Sequence, residues 1–280
     1  MPELPEVETL RRSLLPLVKG KCLRKVEICR PIVLAAGTVE DFIALAGAKI
    51  TAIGRRGKYL LFSLEKDNER KIMVAHMRMT GKLIFHETEI PRAKHEHGRF
   101  YFTDESLLCF EDVRRFGRLW LVSPENLDTV SGLCTLAREP LDDAFTEDYL
   151  AEQLKHRQKS LVKGALLDQR VVAGLGNIYV DEVLYAAKVH PARRVGTLSE
   201  EEMTRLTAAM KSILREAIER RGTTFRDYVD ANGDRGGMQG FLKVFQREGQ
   251  PCVRCGALIQ REKFVGRSSY FCPHCQKEEC

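Results

Sequence analysis

Four cysteines near the carboxyl end of the chain constrain its fold more than any other feature. They follow the pattern Cys252-x2-Cys255-x16-Cys272-x2-Cys275. Two residues between the members of a pair allow both thiolates to bind one ion, and four thiolates complete a tetrahedral Zn²⁺ shell. A redox-active pair or an iron–sulfur site is the alternative, but the spacing favours zinc. Because four protein ligands leave no open coordination position, we predict one structural zinc ion in a C-terminal zinc ribbon.

The composition indicates a globular protein with two domains of ordinary size and a small appendage. The chain has 280 residues, of which 44% are hydrophobic and 30% are charged. A formal net charge of +6 is compatible with a polyanionic partner but does not establish one. No apolar run of about 18 residues predicts a membrane span, and the first residues lack the features of a signal peptide. We therefore expect a cytoplasmic protein without a membrane partner.

Eight short runs of branched and aromatic residues predict β-strands in the first half of the chain. Turn-forming residues separate the runs, and this spacing is typical of an antiparallel sandwich. The predicted strands are Leu23–Cys29, Ile50–Ile53, Tyr59–Leu64, Ile72–Met77, Lys82–Phe85, Arg99–Thr103, Leu107–Phe110 and Leu119–Val122.

Helix signals flank and interrupt the predicted strands. Pro5 suits the first turn of an N-terminal helix, and we expect Pro16 to end that helix. Thr38 and Asp41 form the pattern of a capping box for a second helix, which Gly47 stops. The sequence thus predicts helices packed around the sandwich.

The second half of the chain has a helical pattern over residues 146–222. Its strongest helix begins with a predicted capping box of Ser199 and Glu202. Residues 230–240 are rich in glycine, and we expect them to form a mobile loop.

Three motifs in this order resemble those of the formamidopyrimidine-DNA glycosylases. They are MPELPEVETLRR at the start, VAGLGNIYVDE in the middle and the four-cysteine finger, so the resemblance covers nearly the whole chain. The resemblance implies a base-excision repair enzyme that binds damaged double-stranded DNA as a monomer in the bacterial cytoplasm, associated with the nucleoid. Leu4 resembles the purine-directed branch, because the endonuclease VIII type usually has glycine at this position.

The resemblance also implies an α+β multidomain fold: an N-terminal antiparallel β-sandwich flanked by helices, a helix-two-turn-helix domain and a C-terminal zinc ribbon. We expect DNA to bind in a cleft between domains. The expected parts are a catalytic sandwich domain at 1–124, a linker at 125–145, the helical domain at 146–229, the Gly-rich loop at 230–242 and the zinc finger at 243–277.

By this resemblance, the catalytic residues include Pro2 and Glu3. Removal of Met1 would expose the secondary amine of Pro2, and an α-amino group titrates near roughly 8, well below lysine. Attack on the sugar C1′ would displace the damaged base and leave a cationic iminium, which eases elimination of the flanking phosphates. The resemblance implies that Glu3 is the acid–base partner, although an exposed first-turn glutamate is the alternative.

The resemblance assigns two further basic residues to the elimination steps. Lys58 resembles a lysine that transfers a proton in β-elimination, and Arg267 resembles an arginine that binds the phosphates and assists δ-elimination. Arg55, Arg56 and Lys58 crowd one predicted loop, where a phosphate would relieve their repulsion. A solvated surface lysine is the alternative for Lys58.

Other residues resemble those that bind DNA in this family. Met79, Arg114 and Phe116 resemble the set that fills the gap left by an extruded nucleotide, although core packing is the alternative for Met79 and Phe116. The resemblance implies phosphate contacts for four more residues, which are His95, Arg157, Lys159 and Asn177.

Two rival functions remain open on the sequence alone. One is the pyrimidine-directed sister enzyme, which shares the chemistry but has a different base pocket. The other is a non-catalytic DNA-binding protein that retains the zinc ribbon.

Overall fold

The computed structural model describes residues 1–278, so Cys280, which has no evident partner in the sequence, lies outside the described residues. Within residues 1–278, no helix is long and apolar enough to cross a membrane. The chain divides into two compact units. The first unit comprises residues 1–134 and 220–237, and the second comprises residues 135–219 and 238–278 of the described chain.

The first unit contains two α-helices and nine strands. The helices are α1 (Leu4–Val18) and α2 (Val39–Ile43). The strands are β1 (Leu23–Ile28), β2 (Leu34–Ala36), β3 (Lys49–Arg56), β4 (Tyr59–Lys66), β5 (Glu69–His76), β6 (Gly81–His86), β7 (Glu96–Phe102), β8 (Leu107–Asp112) and β9 (Arg118–Val122). All eight predicted strands are therefore confirmed, and β2 is an additional one.

Two sheets form the predicted sandwich. One has the strand order β2-β9-β5-β4-β3 and the other has the order β1-β7-β8-β6. Apolar residues of both sheets and of α1 belong to one core, which includes Leu10, Phe62, Phe100 and Phe110. The pairing is antiparallel except between β2 and β9, which are parallel. The predicted antiparallel sandwich is therefore confirmed except at this edge, where a three-residue strand is too short to give a sequence pattern.

The N-terminal helix continues past the residue that was expected to end it. Pro16 lies inside α1, and Val18 is buried in the last turn. Proline removes one backbone donor, but the N–H of Lys19 still donates to the carbonyl of Leu15 at 3.1 Å. Burial of Val18 thus holds the last turn in place. The capping box of Thr38 and Asp41 on α2 is confirmed.

The second unit is helical, with one β-hairpin. Its helices are α3 (Glu147–Leu154), α4 (Val162–Leu167), α5 (Asn177–Ala187) and α6 (Glu200–Glu219), and its strands are β10 (Gln260–Phe264) and β11 (Arg267–Phe271). The capping box of α6 is confirmed, because Ser199 and Glu202 exchange backbone and side-chain hydrogen bonds at 3.0 and 3.2 Å.

Buried ionic groups join the helices of the second unit to its hairpin. Nζ of Lys163 on α4 lies 2.6 Å from Oδ1 of Asp181 on α5, and both side chains are fully buried. Lys163 also donates to the carbonyl of Ser268 at 3.0 Å, and the N–H of Tyr270 donates to Asp181 at 3.0 Å. Both members of this ion pair therefore also hold the backbone of β11.

Candidate functional site

The N-terminus of α1 is a closely packed segment. Pro2 is buried, and Glu3 is 2% exposed at the N-cap position. The N–H of Glu3 donates to Oε2 of Glu6 at 2.8 Å, which completes a capping box. Oε1 of Glu6 accepts from the N–H of Thr223 at 2.7 Å. The Glu6 carboxylate thus ties the returning segment 220–237 to the helix end that carries Pro2 and Glu3.

Lys58 lies in the tight turn between β3 and β4. Arg56 pairs with Tyr59 across this hairpin, and the turn residue Gly57 has a φ of 56°, which suits glycine. Lys58 is only 7% exposed, so the interpretation as a solvated surface lysine is not supported. Burial of an ammonium group is costly unless it has polar neighbours. A buried charged group of this kind is typical of a functional position.

His76, at the end of β5, is buried close to Lys58. Burial, with smaller contributions from Arg78 and Lys58, lowers the pKa of His76 to about 3. Its Nδ1 accepts from the N–H of Arg78 at 2.9 Å, and its ring lies edge-on to that of Tyr59. A neutral imidazole therefore lies beside the turn that carries Lys58.

Arg55 differs from the sequence-based expectation of a repulsive basic loop. Its Nε donates to Oε2 of Glu8 on α1 at 3.0 Å, and the same carboxylate accepts from Arg11 and Arg12 at 2.8 Å. The shared Glu8 carboxylate thus offsets part of the positive charge of Arg55 within the protein. This contact also holds the β3–β4 turn against the first turns of α1, which carry Glu3.

We predict that the Glu8 carboxylate stabilises the first unit in a pH-dependent manner. Burial alone would raise the pKa of Glu8, but hydrogen bonds from the three arginines outweigh it and lower the pKa from 4.5 to about 2. A carboxyl with a lowered folded-state pKa contributes stability above its unfolded pKa, and this stability is lost as the pH falls towards 2. Glu8→Gln should therefore lower the unfolding free energy by roughly 2 kcal/mol at pH 7.

Denaturant titrations at several pH values check this prediction. The deficit of Glu8→Gln relative to the native chain should shrink as the pH falls below about 4. Glu40→Gln is the matched control, because Glu40 is exposed on α2. An equal deficit at pH 7 and at pH 3 would contradict the proposed role of the carboxylate.

Met79, Arg114 and Phe116 form one exposed cluster at two neighbouring turns. Met79 and Phe116 are 39% and 45% exposed, so core packing does not explain either residue. Nη1 of Arg114 lies 3.1 Å from Sδ of Met79, and its guanidinium lies 4.7 Å from the centre of the Phe116 ring. The structure therefore brings together all three residues that were predicted to fill the gap in the duplex.

The other predicted phosphate contacts differ in their surroundings. His95 is half-buried just before β7, and its carbonyl accepts from the N–H of Asp112 at 2.9 Å. Arg157 lies 2.7 Å from the carboxylate of Asp168, which it shares with Arg170, so its charge is partly offset. Lys159 is exposed. The geometry thus gives less support to Arg157 than to Lys159.

Asn177 and Arg267 lie on neighbouring segments of the second unit. Asn177 is the first residue of α5, and its Nδ2 donates to the carbonyl of Ser268 at 2.9 Å. Its Oδ1 is buried and makes no hydrogen bond within residues 1–278. Arg267 is exposed at the start of β11, immediately before Ser268. An exposed guanidinium and a helix N-terminus thus occur together, which suits an anion.

The four predicted ligands form a cluster that fits zinc. The Sγ atoms of Cys252, Cys255, Cys272 and Cys275 all lie within 4.8 Å of one another, and three of the separations are 3.8, 3.5 and 3.5 Å. A tetrahedron with Zn–S bonds of about 2.3 Å has edges of about 3.8 Å. Bound zinc would hold the two knuckles together and would leave no position for substrate.

We predict about one zinc ion per chain, because the cluster supplies one full tetrahedral shell. Elemental analysis of the purified protein measures this stoichiometry. Cys272→Ser should reduce the zinc content to near zero, since Cys272 is a buried member of the cluster. Cys134→Ser is the matched control, because Cys134 is an exposed free thiol elsewhere. Retention of zinc by Cys272→Ser would refute the four-ligand assignment.

Two supporting residues were not found by sequence analysis. The hydroxyl of Tyr185 lies 3.2 Å from Sγ of Cys252. The buried carboxylate of Asp112 accepts hydrogen bonds from the hydroxyl of Thr80, next to Met79, and from the N–H of Arg114. Tyr185 gives no sequence signal, because its partner is 67 residues away. An aspartate that precedes a turn is a recognised signal, so Asp112 could have been found.

Together, the sandwich, the helical segment and the four-cysteine hairpin define an α+β multidomain protein with a C-terminal zinc ribbon. Three family models match the chain. They describe the formamidopyrimidine-DNA glycosylase N-terminal domain at residues 1–119, the H2TH domain at residues 136–229 and a zinc finger found in FPG and IleRS at residues 249–277.

Individual relatives match over nearly their full length. The formamidopyrimidine-DNA glycosylase of Pelotomaculum thermopropionicum is 45% identical over 99% of both chains. That of Desulforamulus reducens is 44% identical, also over 99% of both chains. A crystal structure of a Lactococcus lactis FPG mutant with Fapy-dG-containing DNA has a TM-score of 0.91 at 38% identity and covers 99% of this chain and 100% of that one. The present chain belongs to the formamidopyrimidine-DNA glycosylase family.

Proposed function

We propose that this protein excises oxidised purines from double-stranded DNA and then cleaves the strand at the resulting abasic site. The observation that supports this most strongly is the family match over the full length of the chain. Pro2 and Glu3, the residues of the proposed chemistry, lie at the start of a buried, capped helix. Solved relatives from Lactococcus lactis hold DNA that contains Fapy-dG or an abasic site. The activities are those of a DNA glycosylase, an N-glycosyl hydrolase, and of an abasic-site lyase.

The proposed nucleophile is the nitrogen of Pro2 after removal of Met1. The amine attacks C1′, the bond between C1′ and the base breaks, and the base leaves with a proton. Glu3 supplies proton transfer at the sugar, and opening of the ring gives an iminium between Pro2 and C1′. Loss of a C2′ proton then expels the 3′ phosphate, and a second elimination expels the 5′ phosphate. Hydrolysis of the iminium restores the amine.

The remaining site residues are proposed to bind and position the strand. Lys58, which is buried, transfers a proton during β-elimination. Arg267 and Asn177 bind phosphates, with Arg267 assisting the second elimination. His95 and Lys159 are proposed as further phosphate contacts, and Arg157 would first have to give up Asp168.

The exposed cluster of Met79, Arg114 and Phe116 is proposed to fill the gap after the damaged nucleotide leaves the stack. An apolar wedge offsets part of the unstacking cost, and arginine can hydrogen-bond the unpaired base. We further propose that one chain acts alone on a duplex of the bacterial nucleoid, and so in the cytoplasm. The zinc ribbon has no catalytic part in this scheme.

A specific observation also supports activity on oxidised pyrimidines. One solved relative, the wild-type FPG of Lactococcus lactis, is bound to DNA that contains an oxidised pyrimidine, with a TM-score of 0.90. Leu4 favours purines in our proposal, so we expect oxidised pyrimidines to be secondary substrates.

Borohydride trapping on two matched duplexes tests the proposal. One duplex carries 8-oxoguanine opposite cytosine and the other carries thymine glycol opposite adenine. We expect a covalent protein–DNA adduct on both, formed faster on 8-oxoguanine. Faster reaction on thymine glycol would identify the pyrimidine-directed enzyme. Normal DNA binding without any adduct would identify a non-catalytic binding protein.

A further inference from the structure

The three residues of the exposed cluster lie on two separate turns. The β5–β6 turn, residues 77–80, carries Met79, and the β8–β9 turn, residues 113–117, carries Arg114 and Phe116. Each turn contains an arginine in the left-handed region, with φ values of 53° at Arg78 and 59° at Arg115. Such a conformation is unfavourable for a non-glycine residue and persists only where surrounding contacts hold it.

One buried carboxylate makes hydrogen bonds to both turns. Asp112 is 1% exposed at the end of β8. Its Oδ1 accepts from the hydroxyl of Thr80 in the first turn and from the N–H of Arg114 in the second, the latter at 3.1 Å. Its Oδ2 accepts from the N–H of Gly117 at 2.6 Å. The carboxylate thus closes the second turn and joins it to the first.

The surroundings leave Asp112 little freedom to move. Its carbonyl accepts from Nε2 of the buried His97 at 2.7 Å, and its N–H donates to the carbonyl of His95 at 2.9 Å. A Cβ atom at Gly117 would lie 2.7 Å from the Phe110 ring and 3.1 Å from the Asp112 carboxylate. Only glycine permits this close approach of the turn to the carboxylate.

We propose that Asp112 is a positioning residue that holds Met79 and the Arg114–Phe116 pair as one preformed unit before DNA binds. This inference rests on the proposed function, in which the cluster replaces an extruded nucleotide. Two independently mobile turns would each lose conformational freedom on entering the duplex, whereas a joined pair has lost it beforehand. Asp112 itself need not touch DNA, because it acts through Thr80 and the second turn.

The hydroxyl of Thr80 provides the sharpest test, because it donates to Asp112 and accepts from the N–H of Arg114 at 3.2 Å, and so links the two turns without closing either. Thr80→Val removes this link and leaves the bonds from Arg114 and Gly117 to Asp112 in place. Thr80→Ser keeps the hydroxyl and is the matched control. We expect Thr80→Val to slow single-turnover excision of 8-oxoguanine from a duplex by about tenfold, the scale of a lost hydrogen bond to a charged group. Thr80→Ser should retain the native rate.

Two further measurements separate positioning from general damage. Cleavage of an abasic site in a single-stranded oligonucleotide requires no gap to be filled, so Thr80→Val and the native chain should cleave it equally. A 2-aminopurine base beside the lesion reports unstacking by its fluorescence, without any chemical step. Thr80→Val should give a smaller fluorescence rise than Thr80→Ser at saturating protein, at a temperature where thermal unfolding shows both variants to be fully folded.

The outcomes are distinct. Equal fluorescence and equal duplex excision by the two Thr80 variants would overturn the positioning role. A parallel loss on both the duplex and the single strand would also overturn it, since the defect would then be general. Failure of the native chain to form an adduct would instead refute the proposed function, while the fluorescence comparison would still report on the joined turns.

Discussion

Pro2→Leu is expected to lower the rate of borohydride-trapped adduct formation by about 10³-fold or more, the scale of losing a catalytic nucleophile. A bulky side chain at the second position hinders removal of Met1, so the nitrogen of residue 2 stays in an amide that cannot attack C1′. Binding of undamaged duplex should change little, because the phosphate contacts are elsewhere. Intact-mass measurement, trapping kinetics and a binding titration on one preparation check all three statements.

Pro5→Ala is the matched control for Pro2→Leu. Pro5 is also buried and lies in the first turn of α1, but its replacement leaves the terminal amine intact. We expect this variant to lose Met1 and to form the adduct at a near-native rate. A Pro2→Leu protein that retains Met1 and still traps DNA at the native rate would exclude Pro2 as the nucleophile.

Lys163→Met is expected to lower the unfolding free energy of the second unit by about 3–5 kcal/mol, because it leaves a buried carboxylate without its cation. Lys163 and Asp181 are both fully buried, and each also binds the backbone of β11. Thermal unfolding measures the effect, which at about 2–4 °C for each kcal/mol is a large shift. Lys155→Met is the control, because Lys155 forms only an exposed pair with Glu152.

The deficit of Lys163→Met should also depend on pH. Burial raises the pKa of Asp181, and in the native chain the ammonium of Lys163 opposes this rise. A carboxyl with a raised folded-state pKa contributes stability below its unfolded pKa, and this stability is lost as the pH rises through the folded value. The variant should therefore approach native stability in acid and fall furthest behind at neutral pH. A pH-independent deficit would show that lost packing, not charge, is the cause.

The sequence predicted those parts of the fold that depend on local patterns. All eight expected strands are present, because each contains a short run of branched and aromatic residues bounded by turn-forming residues. The capping boxes at Thr38 and Ser199 form as expected, since both partners of each box lie within four residues. The four cysteines were equally predictable, because metal geometry fixes their spacing.

The features that could not be predicted depend on contacts between distant segments. Glu8 and Arg55 are 47 residues apart, so nothing in either local sequence shows that they pair. The extension of α1 beyond Pro16 depends on burial of Val18 in a core built from both sheets. The roles of Met79 and Phe116 followed from resemblance, but their exposure and their contacts with Arg114 required the structure.

The internal pairing of Arg55 with Glu8 and of Arg157 with Asp168 has a consequence for binding thermodynamics. Only cations that neutralise DNA phosphates release condensed counterions, and each contributes about −0.9 to the slope of log K against log salt concentration. An arginine that is paired with a carboxylate must give up that partner before it can neutralise a phosphate, so it adds less to that slope than an exposed, unpaired cation does. The ionic-strength sensitivity of the complex therefore reflects exposed groups such as Arg267 and Lys159, and not the 45 lysines and arginines of the whole chain.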